Sequence, residues 1–217
     1  NALSTGNQGR CLHACIQSDR NLLDIAKIGT MAHEHGALLV VDASQTAGAV
    51  PINMQRMNID VLCFTGHKGL MVRRNRRSVH PTGRRASAAA PRRHRHSLLR
   101  PRTAAGVSSR LEAGTLNTHG IAGLHAALKF IEKADVSAIG AHERALMRRF
   151  YDGVKGIDGV TVYGNFSRPE RAAVVALNIR DYDSAEVADA LFADYDIATR
   201  AGAHCAPRMH EALGTVQ

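Results

Sequence analysis

Hydrophobic and polar positions divide the chain into three stretches of different character. From Asp19 onward, apolar residues recur every three or four positions (Leu22, Leu23, Ile25, Ala26, Ile28, Met31). This spacing predicts a helix with Asp19 as its N-cap, and Gly36, after the polar run His33-Glu34-His35, as its stop. Five apolar residues follow without alternation, Ala37-Leu38-Leu39-Val40-Val41, ending at Asp42. Such a run predicts a strand buried on both faces, as in a parallel sheet with helices on either side. A second run, Ile59-Asp60-Val61-Leu62-Cys63-Phe64, leads into Thr65-Gly66-His67-Lys68-Gly69. Helix, strand, connection, strand is the rhythm of an α/β fold. Residues 1–18 are polar and show no period.

The last stretch is again ordered. Residues 120–133 predict a helix with an apolar face, and 136–155 a longer amphipathic one through Ile139, Leu146, Phe150 and Val154. Residues 160–163 and 173–179 read as strands, and Ser184 as the cap of a helix through Val187, Ala190 and Leu191. Residues 156–217 are thus expected to form a small C-terminal α+β domain. Residues 1–71 would belong to a larger α/β domain, to which 111–155 return with a linking helix. Residues 72–110 break every pattern, offering Arg, Ala, Ser, Pro and His with almost no large apolar side chain. Nothing there promises enough buried surface to offset the entropy of ordering, so disorder is expected.

Charge sharpens this division. The 217 residues carry a formal charge of +9, from 28 basic and 19 acidic groups. Twelve arginines and no acid fall within 72–110, which leaves 16 basic against 19 acidic residues elsewhere, a net of −3. One reading of the segment is a basic linker that holds nucleic acid or another polyanion through phosphates. Nine aromatics without a Trp are a thin supply for stacking on bases. The other reading is out-of-frame translation of a GC-rich gene. The cysteines, at 11, 15, 63 and 205, do not suggest a disulfide framework, and a reducing, cytoplasmic setting is expected. No apolar run approaches the roughly 18 residues of a membrane span, no secretory leader opens the chain, and no HExxH or paired CxxC marks a metal site.

In an open α/β sheet, ligands bind beyond the carboxyl ends of the strands. Two such ends carry chemistry here: Asp42 with Gln45 three residues on, and Lys68 preceded by Thr65 and His67. A carboxylate to hold a protonated pyridine nitrogen, and an amine to condense with a carbonyl, are what pyridoxal phosphate requires of a protein. Alone, Asp42 also fits a turn cap and Lys68 a solvated surface amine.

Four separated motifs add to this pair. They are Val41-Asp42-Ala43-Ser44-Gln45-Thr46-Ala47-Gly48, Phe64-Thr65-Gly66-His67-Lys68-Gly69, Glu112-Ala113-Gly114-Thr115-Leu116-Asn117-Thr118 and Thr199-Arg200-Ala201-Gly202-Ala203-His204-Cys205-Ala206-Pro207. In this order they resemble the class V aminotransferases, and within them the cysteine desulfurase-like enzymes. The resemblance covers about residues 19–71 and 110–215. It implies part of the large domain of the fold type I pyridoxal phosphate-dependent transferases, with a mostly parallel sheet, followed by the small domain. It further implies Lys68 as the lysine that forms the aldimine, Asp42 at the pyridine nitrogen, Gln45 at the ring hydroxyl, and Thr65 and His67 at the phosphate. Thr115 would reach the phosphate of a neighbouring subunit's coenzyme, which implies a homodimer. Cys205 would take sulfur from a small amino-acid substrate as a persulfide, and Arg200 would serve substrate binding. Three departures stand beside the matches. The family's N-terminal phosphate loop and ring-stacking residue are not in this sequence. The lysine turn runs into the arginine-rich segment, which would leave strand edges open. The family's carboxylate-gripping arginine lies beyond Gln217. Weakened binding of coenzyme and substrate is expected from these departures.

Overall fold

The computed structural model describes residues 10–13, 22–72, 76–79, 116–168, 171–203 and 207–215. Its larger sheet has four strands in the order β1 (Arg10–His13), β2 (Leu39–Asp42), β3 (Val61–Thr65) and β4 (Arg76–Val79). The first three run parallel, and β4 pairs antiparallel with β3. Helix α1 (Ile25–Glu34) connects β1 to β2.

The N-cap of α1 is Asp24, whose side chain accepts the Lys27 N–H at 3.1 Å, and not Asp19 as the spacing suggested. The apolar stripe begins before the helix does: Leu23 packs beside the core while still outside it. Gly36, at φ +63°, ends the helix as expected; its N–H reaches the His33 carbonyl, and the Ala37 N–H that of Ala32. The underside of α1 and the sheet share one cluster, with Ile25, Leu39, Val41 and Ile59 buried.

Strand β2 departs from the expected burial on both faces. Leu39 and Val41 are buried, whereas Val40 and Asp42 are half-buried. Alpha-helical cover reaches the first pair, and the residues themselves are uniformly apolar up to Asp42, so polarity could not reveal which face is covered. At the entry end of the strands Asp60, 4% exposed, accepts the Leu39 N–H at 2.8 Å and meets His33 Nε2 at 2.8 Å. One carboxylate thus ties the end of α1 to the starts of β2 and β3.

Helices α2 (Thr118–Ala134) and α3 (Val136–Val154) pack against each other and against the chain that follows β2 and β3. Leu124 and Ile131 of α2 form a second buried cluster with Leu70 and Val72, and Phe64, Ala47, Val136 and Ile139 pack around it. Asn117 caps α2 through the Gly120 N–H, and Asp135, at φ +67°, separates the two helices and caps α3 through Ser137 N–H.

Beyond α3, β5 (Val160–Tyr163) and β6 (Ala176–Ile179) form a two-stranded antiparallel sheet. The chain between them is anchored on α3: Tyr151 stacks on Phe166 with centroids 3.8 Å apart, and the Arg171 guanidinium lies 3.6 Å from the centroid of the Phe166 ring. Arg171 is 1% exposed and donates to the carbonyls of Asn165 and Val174. Helix α4 (Ser184–Tyr195) follows, capped by Asp183 and not by Ser184; a short helix, α5 (Pro207–Leu213), ends the described chain.

Three elements were not read from the pattern: β1, β4 and α5. Two of them carry the physical reason plainly. Residues 10–13 and 76–79 are held by main-chain pairing with the neighbouring strands, a force that needs no amphipathic period. At the start of the 72–110 segment Val72 is buried and β4 pairs with the edge of β3. Residues 80–110 lie outside the described residues, as does the question of whether they bind a polyanion.

Candidate functional site

Asp42 is the last residue of β2, and Thr65 the last of β3. Because Asp42 stands in register with Cys63 on the parallel neighbour, Thr65 is only two residues, about 7 Å, further along the same direction. Register partners in a sheet share a face, so Asp42, Cys63 and Thr65 all project from the side opposite Val41 and Leu62. Both strands therefore deliver polar side chains to one end and one face.

Two turns continue from these ends. The first, 43–50, is fixed to β3 by Ala43 N–H donating to the Cys63 carbonyl at 2.7 Å, and closes on itself through the Ala43 carbonyl, which accepts from the N–H groups of Thr46 and Ala47. Inside it Ser44 donates to Asp42 Oδ1 twice, from its N–H at 2.9 Å and its hydroxyl at 2.5 Å. Gln45 is half-buried in the same turn, and Thr46 is buried beneath it.

The second turn, 66–71, carries the lysine. Thr65 Oγ1 and His67 Nδ1 are 2.6 Å apart, Met71 N–H donates to the Lys68 carbonyl at 2.8 Å, and Val72 N–H closes the loop on the Gly66 carbonyl. Leu70 and Val72 anchor it in the second cluster, so Lys68, half-buried, is carried on a turn nailed down two residues later. The two turns touch through their glycines. A Cβ on Gly48 would stand 2.5 Å from the Gly69 carbonyl oxygen, and one on Gly69 2.5 Å from that of Ala47. Gly48 also has φ +96°, which other residues rarely adopt. Helix α3 backs the first turn, with Gly140 set directly against the Ala49 carbonyl.

Five of the residues singled out from sequence, Asp42, Gln45, Thr65, His67 and Lys68, are thus carried by two adjoining strand ends and their turns. Arg200 is placed otherwise. It lies exposed in the segment after α4, which Gly202 N–H ties to Ser184 Oγ at 3.2 Å. Thr115 and Cys205 lie outside the described residues. An open groove of about 590 Å³ runs between Met71, Val72 and the first turns of α2; none of the five residues lines it. Ser44, which contacts Asp42, was not singled out from the sequence, although an aspartate commonly accepts from the backbone N–H two residues on. Among the described residues no group of three or more His, Cys, Asp or Glu is placed to hold a metal ion.

A mostly parallel sheet with an acid and a lysine at neighbouring strand ends is the large-domain architecture of fold type I transferases, here present in part. The chain belongs to the class-V aminotransferases: the family model, Aminotransferase class-V, matches residues 21–216. It is 30% identical over 198 residues to a probable cysteine desulfurase of Pyrococcus abyssi, a match that spans 84% of this chain and 46% of that protein. To a cysteine desulfurase of Klebsiella pneumoniae it is 31% identical over 191 residues, 84% of this chain and 45% of the other. Among solved structures, apo cysteine desulfurase from Thermococcus onnurineus NA1 superimposes with a TM-score of 0.80 at 27% identity, over 94% of this chain and 52% of that one. The chain spans about half the length of the relatives it matches. No helix among the described residues is long and apolar enough to cross a membrane.

Proposed function

We propose that the strand-end turns form a pyridoxal phosphate site and that the chain belongs to a cysteine desulfurase. The observation that carries this reading is the placement of Asp42 and the Lys68 turn on adjacent parallel strand ends, joined by the contact between Gly48 and Gly69. The donor set fits the coenzyme group by group. A carboxylate suits a ring N–H, an amide a ring hydroxyl, a hydroxyl and an imidazole a phosphate, and a primary amine an aldehyde.

When bound, the coenzyme supplies an electron sink for carbanion chemistry at the substrate amino acid. Asp42 accepts the hydrogen bond of the ring nitrogen and so favours its protonated form. Gln45 orients the ring through its hydroxyl, while Thr65 and His67 hold the phosphate. Lys68 would hold the coenzyme through its amine and, once that amine is free, would serve as a base near the substrate's α-carbon. By family resemblance Cys205 would attack the sulfur of cysteine as a thiolate: an S–S bond forms on Cys205 as the substrate's C–S bond breaks, the electron pair of that bond passes to the β-carbon, and the β-carbon takes up a proton so that alanine leaves. Arg200 assists substrate binding, and Thr115 reaches the phosphate held by a second copy, so the active form is a homodimer. A cytoplasmic setting accords with a thiol that must remain reduced between turnovers.

The test is spectroscopic. Full-length protein given pyridoxal phosphate is expected to develop the visible absorption of a lysine-bound coenzyme, and Lys68→Ala to abolish it. A Lys68→Ala variant that develops the same band would overturn the reading. Sulfide release from cysteine, lost in Cys205→Ala with the band retained, then tests the desulfurase assignment.

A further inference from the structure

We propose that Ser44 is a positioning residue: its hydroxyl holds the Asp42 carboxylate in the orientation that meets the ring nitrogen of the coenzyme. The inference rests on the pyridoxal phosphate reading and adds to it a residue that the strand-end pattern does not identify. Asp42 ends its strand half-exposed, where a carboxylate on a two-torsion side chain has several orientations open to it. Ser44 removes that freedom. Its backbone N–H, 2.9 Å away, and its hydroxyl, 2.5 Å away, both donate to the same oxygen, Oδ1. The hydroxyl contact is at the short end of hydrogen bonds to ionised carboxylates, which are about twice as strong as neutral ones. Ser44 itself is fixed by what surrounds it: Ala43, fully buried before it, donates its N–H to Cys63 of β3, and Thr46, 1% exposed, follows two residues later. Orientation therefore passes from the sheet, through the turn, to the carboxylate.

The side-chain bond is the part a substitution can remove, since the N–H of residue 44 remains in any variant but proline. Binding is measured on the full chain by titration with pyridoxal phosphate, and in parallel with an analogue in which carbon replaces the ring nitrogen. Ser44→Ala is expected to weaken binding of pyridoxal phosphate about tenfold, the effect of one hydrogen bond to a charged group. Binding of the carbon analogue, which offers Asp42 no N–H, is expected to be unchanged, and Ser44→Thr, which keeps a hydroxyl, to restore the affinity. Equal weakening for both ligands would show that Ser44 only maintains the turn and would overturn the inference, as would no weakening for either. Failure of the coenzyme reading shows itself separately, as a wild-type chain that captures neither ligand at Lys68, and it would overturn this inference with it.

Discussion

Asp60 enters β3 at the end of the sheet where the last turn of α1 is tied down, and Asp42 leaves β2 at the other end. Both are carboxylates within the same pair of parallel strands, yet their surroundings differ in kind. Asp60 is 4% exposed and bonded to the Leu39 N–H and the His33 ring, each from a different element. Asp42 is half-exposed, and Ser44, two residues away in its own turn, donates to it twice. The first arrangement joins parts of the fold; the second orients a group. Position along the strand decides which task an aspartate takes, because entry ends here are packed and exit ends open into turns.

Exchanging the carboxylates for methyl groups tests that contrast most strongly. Asp60→Ala leaves a buried Leu39 N–H without its acceptor and is expected to cost about 3 kcal/mol of stability in denaturant titration. Asp42→Ala should cost less than about 1 kcal/mol, the usual range for a local and partly solvated group, while removing coenzyme capture. Equal losses of stability would end the comparison.

At the exit end, stability and binding should fall together only where the two turns meet. Gly48→Ala places a methyl against the Gly69 carbonyl at a backbone angle that alanine disfavours, for about 2 kcal/mol and a marked loss of coenzyme affinity. At the entry end, His33→Ala removes one partner of Asp60 and leaves Leu39 in place. It should cost about 1 kcal/mol by thermal or chemical denaturation, with coenzyme binding untouched. Asp24→Ala, which removes the α1 cap, is expected to cost about 0.5–1 kcal/mol, again without effect on binding.

Legibility of the sequence followed the same division. The cores of β2 and β3 were readable because short apolar runs announce themselves; Asp42 ends the first run, and Lys68 lies in the turn that follows the second. The helices α2 and α3 were readable from period, to within two residues at either end. Strands β1 and β4 were not, since what holds them is pairing with β2 and β3, a long-range fact. The N-cap of α1 is Asp24 and not Asp19 because the apolar stripe starts at Leu22, ahead of the helix, and the hydrogen bond that starts the helix is the one from Lys27 N–H to Asp24. Ser44 was read as part of a motif and not as a contact. A sequence shows residue types at spacings, whereas the bond from Ser44 to Asp42 depends on the turn that brings them together.

The most direct test of the central claim, that the two strand ends present one amine to an aldehyde coenzyme, is chemical trapping. The 217 residues include five lysines, at 27, 68, 129, 133 and 155. After incubation with stoichiometric pyridoxal phosphate and reduction with borohydride, peptide mass mapping should find the pyridoxyl group on Lys68 and on no other lysine. A label spread over all five, or carried by the helix lysines with Lys68 unmodified, would contradict the account.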